Sequence, residues 1–275
     1  MNNNAVEMED HRKINRHQRE DAERFLEDFS YLFKWNSGES FIDLGCGPGD
    51  VTLDIIWPLL PRESHRLVCL DICPDQLDRC REEMAGKEVS FAQVDLGKRQ
   101  DLSELGKFDH AISLMCLHWI RDQRIALENI HDLLRSQGDF FFSFVADCPN
   151  RKIDAVLVES EKWKGLFNGI PCFCDMYWRS EDPGELFKDL LSEIGFGEIV
   201  VETRKVVYQW KTSEEFISYY RTFSRLLKFV PSHLIPEFLS DQVDLATKYN
   251  LLASQRNPED PVDPYVIVVG FARKI

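Results

Sequence analysis

Several absences narrow the possibilities before any motif is read. No long run of Lys and Arg interrupts a chain of 275 residues whose formal net charge is −14. A surface of that sign repels polyanions, which disfavours nucleic acid as a partner. No apolar run approaches the ~20 residues needed to span a membrane. Residues 1–24 are strongly polar and lack the apolar segment of a secretory signal. The eight cysteines (Cys46, Cys69, Cys73, Cys80, Cys116, Cys148, Cys172 and Cys174) include no C-x-x-C pair and no histidine at zinc-site spacing. No metal is therefore expected, and reduced thiols in a soluble cytoplasmic protein are the expectation. Internal repeats and low-complexity tracts are missing too. Oligomeric state leaves no mark on the sequence.

What is present begins with enough apolar material for a sizeable core, 44% of residues, 12% of all residues being aromatic. The stretch around which the rest is organised is residues 41–50, FIDLGCGPGD. Apolar residues run into Asp43, then Gly45-Cys46-Gly47-Pro48-Gly49 makes a turn, and a helix carrying Val51, Leu53, Ile55 and Ile56 follows. Glycines in such a turn let bare backbone approach a nucleotide-like ligand. The dinucleotide pattern G-x-G-x-x-G fails here, because its last position is Asp50. Asp43 would repel a pyrophosphate and attract an ammonium group. A nucleoside with an amino-acid tail and no phosphates meets both conditions, and S-adenosylmethionine (SAM) is such a ligand. The run D-L-G-C-G-P-G resembles motif I of class I SAM-dependent methyltransferases. The plain alternative is a strand, turn and helix whose glycines only shape the turn.

Upstream, residues 11–34 read as a helix with Ala22, Phe25, Leu26, Phe29, Leu32 and Phe33 on one face. One turn back, that face reaches Gln18, which either points over the ligand site or is the solvated start of the helix. Residues 66–71, RLVCLD, form a second buried strand ending in Asp71, 22 residues after Gly49. An acid there accepts from both ribose hydroxyls, or caps the helix 75–84 that Pro74 introduces. Strand 89–94 ends at Asp95-Leu96, where the acid accepts from an adenine amine and the leucine lies beside the ring; a turn aspartate is the alternative. Strand 111–117 leads into Leu117-His118-Trp119-Ile120-Arg121-Asp122. Ligands of doubly wound sheets sit at the carboxyl ends of the strands, so His118 and Trp119 stand on the lip of the site, unless Trp119 merely packs.

Helix 125–134, ended by Gly138, and strand 140–145 complete an alternation typical of a parallel sheet. The remainder departs from it. A helix at 153–167 precedes a loop, 169–182, that reads as a lid or substrate wall. Helix 183–194 starts with an Asp182 cap and ends at Gly195. Strand 199–210 and a capping box at Thr212-Ser213-Glu214-Glu215 introduce aromatic-rich helices to residue 253. A loop at 258–264 leads to a last strand, 265–272, expected antiparallel to 199–210. The expected organisation is a disordered 1–10, a seven-stranded α/β core (11–148, 195–211 and 263–275), and a helical substrate cap (149–194 and 212–257).

DLGCGPGDVT, LVCLD, VDL and LHWIRD, with the helix start H-R-K-x-N-x-x-Q, resemble the juvenile hormone acid O-methyltransferases of arthropods over residues 11–210. The resemblance implies a doubly wound, seven-stranded SAM-binding fold and methyl transfer to the carboxylate of a sesquiterpenoid acid, juvenile hormone acid or farnesoic acid. It implies that Gln18 and Trp119 hold that carboxylate, with His118 beside them. Asp43, Gly45, Gly47, Asp71, Asp95 and Ser113 match cofactor positions, to which the adjoining Cys46, Ile72 and Leu96 are added. Where that family tends to carry Lys-Arg-Asp after the glutamine, this chain has Arg19-Glu20-Asp21. A lipophilic carboxylic acid is already ionised at neutral pH, so the reaction needs positioning rather than a base. Methylation of a fatty or aconitate-like acid, and SAM binding without catalysis, are the alternatives.

Overall fold

The computed structural model describes residues 11–61, 66–168, 176–253 and 262–275. The expected disorder of 1–10, half of the expected wall at 169–182 (residues 169–175) and most of the loop at 258–264 lie outside them, as do Cys172 and Cys174. Seven strands form one sheet: β1 (Ser40–Leu44), β2 (Arg66–Asp71), β3 (Val89–Gln93), β4 (Phe108–Leu114), β5 (Leu134–Asp147), β6 (Phe196–Val206) and β7 (Tyr265–Lys274), in the order β3-β2-β1-β4-β5-β7-β6. Pairings β1–β2, β1–β4, β2–β3 and β4–β5 are parallel, with Leu44 opposite Leu70 and Asp43 opposite Ile112.

Central parallel strands are covered on both faces and so read as unbroken apolar runs. All five residues of β1 are buried, and Phe140, Phe141, Phe142 and Phe144 of β5 are fully so. Each such ring contributes about 2–3 kcal/mol by leaving water.

The chain divides into two compact units. One comprises residues 17–145, 180–204 and 267–275, and contains most of the sheet together with α1 (Arg16–Asp28), α2 (Pro74–Glu83), α3 (Gln123–Leu133) and α5 (Pro183–Ile194). The other, the remaining residues, holds α4 (Pro149–Glu159), α6 (Ser213–Phe223) and α7 (Ile235–Lys248). Within it, half-buried Asp154 accepts from the Tyr220 hydroxyl at 2.5 Å and the Gln242 amide at 3.3 Å, and the Trp163 indole donates to Asp241 at 2.7 Å.

Four expectations need correction. Helix α5, assigned by the sequence to the cap, belongs with the sheet: Phe187 is fully buried against Phe142 and Phe144, ring centroids 4.7 and 4.8 Å away. Its Asp182 cap and left-handed Gly195 end are as expected. Strand β4 stops at Leu114 rather than Leu117, because Met115 turns into the left-handed region (φ 53°). Gly138 does not end helix α3; it lies inside β5, at an irregularity where a Cβ would press on the carbonyls of Asp109 and Phe108 at 3.0 and 3.2 Å. Finally, β6 begins at Phe196 and ends at Val206, not 199–210.

Candidate functional site

In this strand order the chain leaves β1 to one side for β2 and returns on the other for β4, and the crevice outside the carboxyl ends of β1 and β4 is where such sheets bind ligands. The glycine turn occupies that end of β1. Gly45 and Cys46 both donate backbone N–H groups to the Leu70 carbonyl, at 2.7 and 3.0 Å, so the turn hangs from the end of β2. Gly45 has φ +81°, and a Cβ there would collide with Cys116 Sγ; only glycine fits. At Gly47 the space a Cβ would fill is open, leaving bare backbone accessible to a ligand.

Three carboxylates mark the tips of β1, β2 and β3. Asp43 is 4% exposed and accepts from the Thr52 hydroxyl at 2.6 Å. Burial pushes its pKa up to about 7, against the pull of the Thr52 hydrogen bond, with Cys80, Asp71 and Asp50 adding to the rise. Asp71 accepts from Gly47 N–H and Cys73 N–H, both at 2.9 Å, one on each oxygen. That fixes its plane and leaves further lone pairs for hydroxyl donors. Ile72 beside it is 57% exposed, an apolar surface next to a carboxylate. Asp95 accepts from Gly97 N–H at 3.0 Å and pairs with Lys98 at 2.9 Å. Leu96 is buried and its carbonyl takes the Asn129 amide at 2.9 Å. Ser113 is fully buried, donating to the Leu44 carbonyl at 3.0 Å and tying β4 to β1. Together these groups fit a cationic, phosphate-free nucleoside: acids for its ammonium and sulfonium charges and its hydroxyls, open glycine backbone, an apolar edge.

Trp119 ends a tight 3₁₀ turn, Leu117–Trp119, whose Leu117 is completely buried and holds it down. Trp119 itself stays 43% exposed. The His118 ring lies 5.1 Å from the Trp119 ring and faces the Val145 N–H at 3.4 Å. Gln18 is half-buried in the first turn of α1, its side-chain oxygen shielded from solvent. Next to it Arg19 reaches Asp50 and Asp54, each at 3.0 Å, docking the start of α1 on the helical turn that leaves the glycine loop. The turn is wide at that point: Trp57 N–H bonds Thr52 C=O, five residues back, a π-type geometry over Thr52–Ile56. A separate groove of about 660 Å³, lined by Leu26, Phe33, Trp35, Asp54 and Ile55 among others, holds none of the expected site residues.

Sequence reasoning did not single out Thr52 or Met115, and Arg19 entered only as a departure from the family's Lys-Arg-Asp run. Asp50 entered only as a broken motif position; here it is a buried carboxylate with a cationic partner. The signal was available. Asp50 and Asp54, four apart on one helical face, ask for a cation.

The methyltransferase domain family matches residues 42–140. The juvenile hormone acid O-methyltransferase of Drosophila melanogaster is 31% identical over 266 residues, covering 94% of this chain and 89% of the relative. That of Bombyx mori is 30% identical over 271 residues, 96% of each. Among solved structures, phosphoethanolamine N-methyltransferase 2 of Haemonchus contortus, in complex with phosphomonomethylethanolamine and S-adenosylhomocysteine, superposes with a TM-score of 0.54 at 16% identity, over 93% of this chain and 52% of that one. That likeness is one of fold.

Proposed function

We propose, for a chain that belongs to the juvenile hormone acid O-methyltransferase family, that it methylates the carboxylate of a sesquiterpenoid acid such as farnesoic acid or juvenile hormone acid. The chain is a SAM-dependent methyltransferase and S-adenosylmethionine is its cofactor. A cytoplasmic location goes with this reading: the six described cysteines are free thiols, as a reducing compartment keeps them. Among the described residues no helix is long and apolar enough to cross a membrane.

Bound S-adenosylmethionine supplies a methyl group on a positively charged sulfur. In our reading Asp43 meets the ammonium end through its buried carboxylate, Asp71 accepts from the ribose hydroxyls, and Asp95 with Leu96 borders the adenine. The acceptor acid arrives ionised, since a carboxyl of ordinary pKa has lost its proton at pH 7. No residue is needed as a base. What remains is to hold one carboxylate oxygen in line at ~3–3.5 Å and to keep water away. Uncharged donors suit that task, because a paired Lys or Arg would stabilise the anion and lower its nucleophilicity. The Gln18 amide and the Trp119 indole N–H are such donors, and His118 supports the turn that carries Trp119.

The observation that carries this assignment is Trp119, an indole left 43% exposed just beyond the carboxyl end of β4. The test is a pair of substitutions. Gln18→Ala and Trp119→Ala should each lower kcat by about 10–100-fold, the range for lost positioning. Calorimetry should find S-adenosylhomocysteine affinity within about twofold of the wild type. Unchanged kcat in both would remove them from the substrate site.

A further inference from the structure

Cysteine spacing in the sequence suggests no metal site, yet the fold gathers three of the eight thiols. Cys46 lies in the glycine turn, Cys69 in β2 and Cys80 in α2, and their Sγ atoms all lie within 4.8 Å of one another. All three residues are buried. From this cluster we infer a binding site for a thiophilic d10 cation of the zinc–cadmium class, held by three sulfurs directly behind the cofactor turn. Sulfur ligands alone select soft ions over Mg²⁺ or Ca²⁺. Three sulfurs ~2.3 Å from a common ion stand roughly 3.7–4 Å apart, so the cluster needs to close by no more than about 1 Å. Cys80 also touches the turn from a second side, since a Cβ on Gly49 would lie 2.6 Å from its Sγ. An ion here ties the turn to β2 and α2 and stiffens the segment that receives the nucleoside. The inference is independent of which acid is methylated.

Purified, reduced, metal-free full-length chain is titrated with Cd²⁺, and the ultraviolet sulfur-to-cadmium absorption is read, followed by removal of the ion with excess EDTA. The expected result is a sharp endpoint at one equivalent, reversal by EDTA, and a rise in Tm on loading. Cys69→Ala and Cys80→Ala should each abolish the signal, while Cys73→Ala, outside the cluster, keeps it. Alkylation of the wild type, mapped by mass spectrometry, provides a readout that needs no variant to fold: Zn²⁺ should protect Cys46, Cys69 and Cys80 together. Absence of a one-equivalent endpoint, persistence of the band in Cys80→Ala, its loss in Cys73→Ala, or alkylation of the three thiols at an unchanged rate with Zn²⁺ would each overturn the site.

Discussion

In the proposed site Asp43 meets two demands at once: it is buried at the end of β1, and it has to be charged to hold a cation. Burial wins in the protein alone, which lifts its pKa to about 7. A cationic ligand favours the ionised form, so affinity for S-adenosylmethionine should grow as pH rises through 7. Calorimetry at about pH 6 and about pH 7.5 should show roughly tenfold tighter binding at the higher value, with the dependence lost in Asp43→Asn. A flat wild-type profile would contradict the assignment of the ammonium to Asp43. His110 shows the opposite balance. Burial lowers its pKa, but Asp139 at 2.9 Å on Nδ1 and Glu39 at 2.9 Å on Nε2 outweigh that and raise it. A raised histidine pKa adds stability that is fully present below the unfolded value near ~6.5 and is lost as pH rises through the folded value. The Tm difference between wild type and His110→Phe should therefore shrink as pH is taken from about 6 to about 9. This pair of acids around His110 was invisible in the sequence, since Glu39 and Asp139 lie 71 and 29 residues away. Asp43 and Asp71 stood out because each ends a buried run, where an acid has to be explained; Asp95 follows a half-exposed strand and stood out only by its place after the third strand.

Element by element, strands and helices were read well where one face or both are buried, and poorly where the chain bends for local reasons. Periodicity located α1 and α3, capping signals located α5, and the glycine turn announced itself by composition. It could not show that Met115 ends β4 by turning to φ 53°, because methionine is not a residue that signals left-handed backbone. Nor could it show that Gly138 serves a close strand approach instead of a helix end, for glycine signals both. The docking of α1 on the segment after the glycine turn rests on Arg19 and the nearly buried Asp50. Arg19→Met should cost about 3 kcal/mol, because it removes the cation that compensates a buried carboxylate. Adding Asp50→Asn should recover part of the loss, giving a double-mutant cycle with clear coupling. Urea unfolding midpoints measure it; strictly additive losses would show that the pair does not anchor the helix.

For the molecule as a whole, the parallel pairing of β1 to β5 follows from alternating strands and helices, and the resemblance to SAM-dependent methyltransferases from one turn and the acids around it. The division into units was legible only in outline, since α5 carries a cap-like position in the chain but a core-like face. Partnerships that form through space were not legible: Thr52 with Asp43 and the Cys46, Cys69 and Cys80 cluster left no sign, and the spacing of Asp50 and Asp54 called for a cation without showing that it is Arg19. The acidic surface, −14 overall, repels the anionic acceptor at long range, so recognition has to come from neutral donors and apolar contact at the site. The measurement that tests this most directly offers the purified chain methyl-labelled S-adenosylmethionine with equal amounts of farnesoic acid, a C16 fatty acid and a tricarboxylic acid, and follows the label into each ester. Labelled methyl farnesoate should appear first and dominate. Label passing instead to the straight-chain or tricarboxylic acid, or to none of the three while S-adenosylhomocysteine still binds, would contradict it.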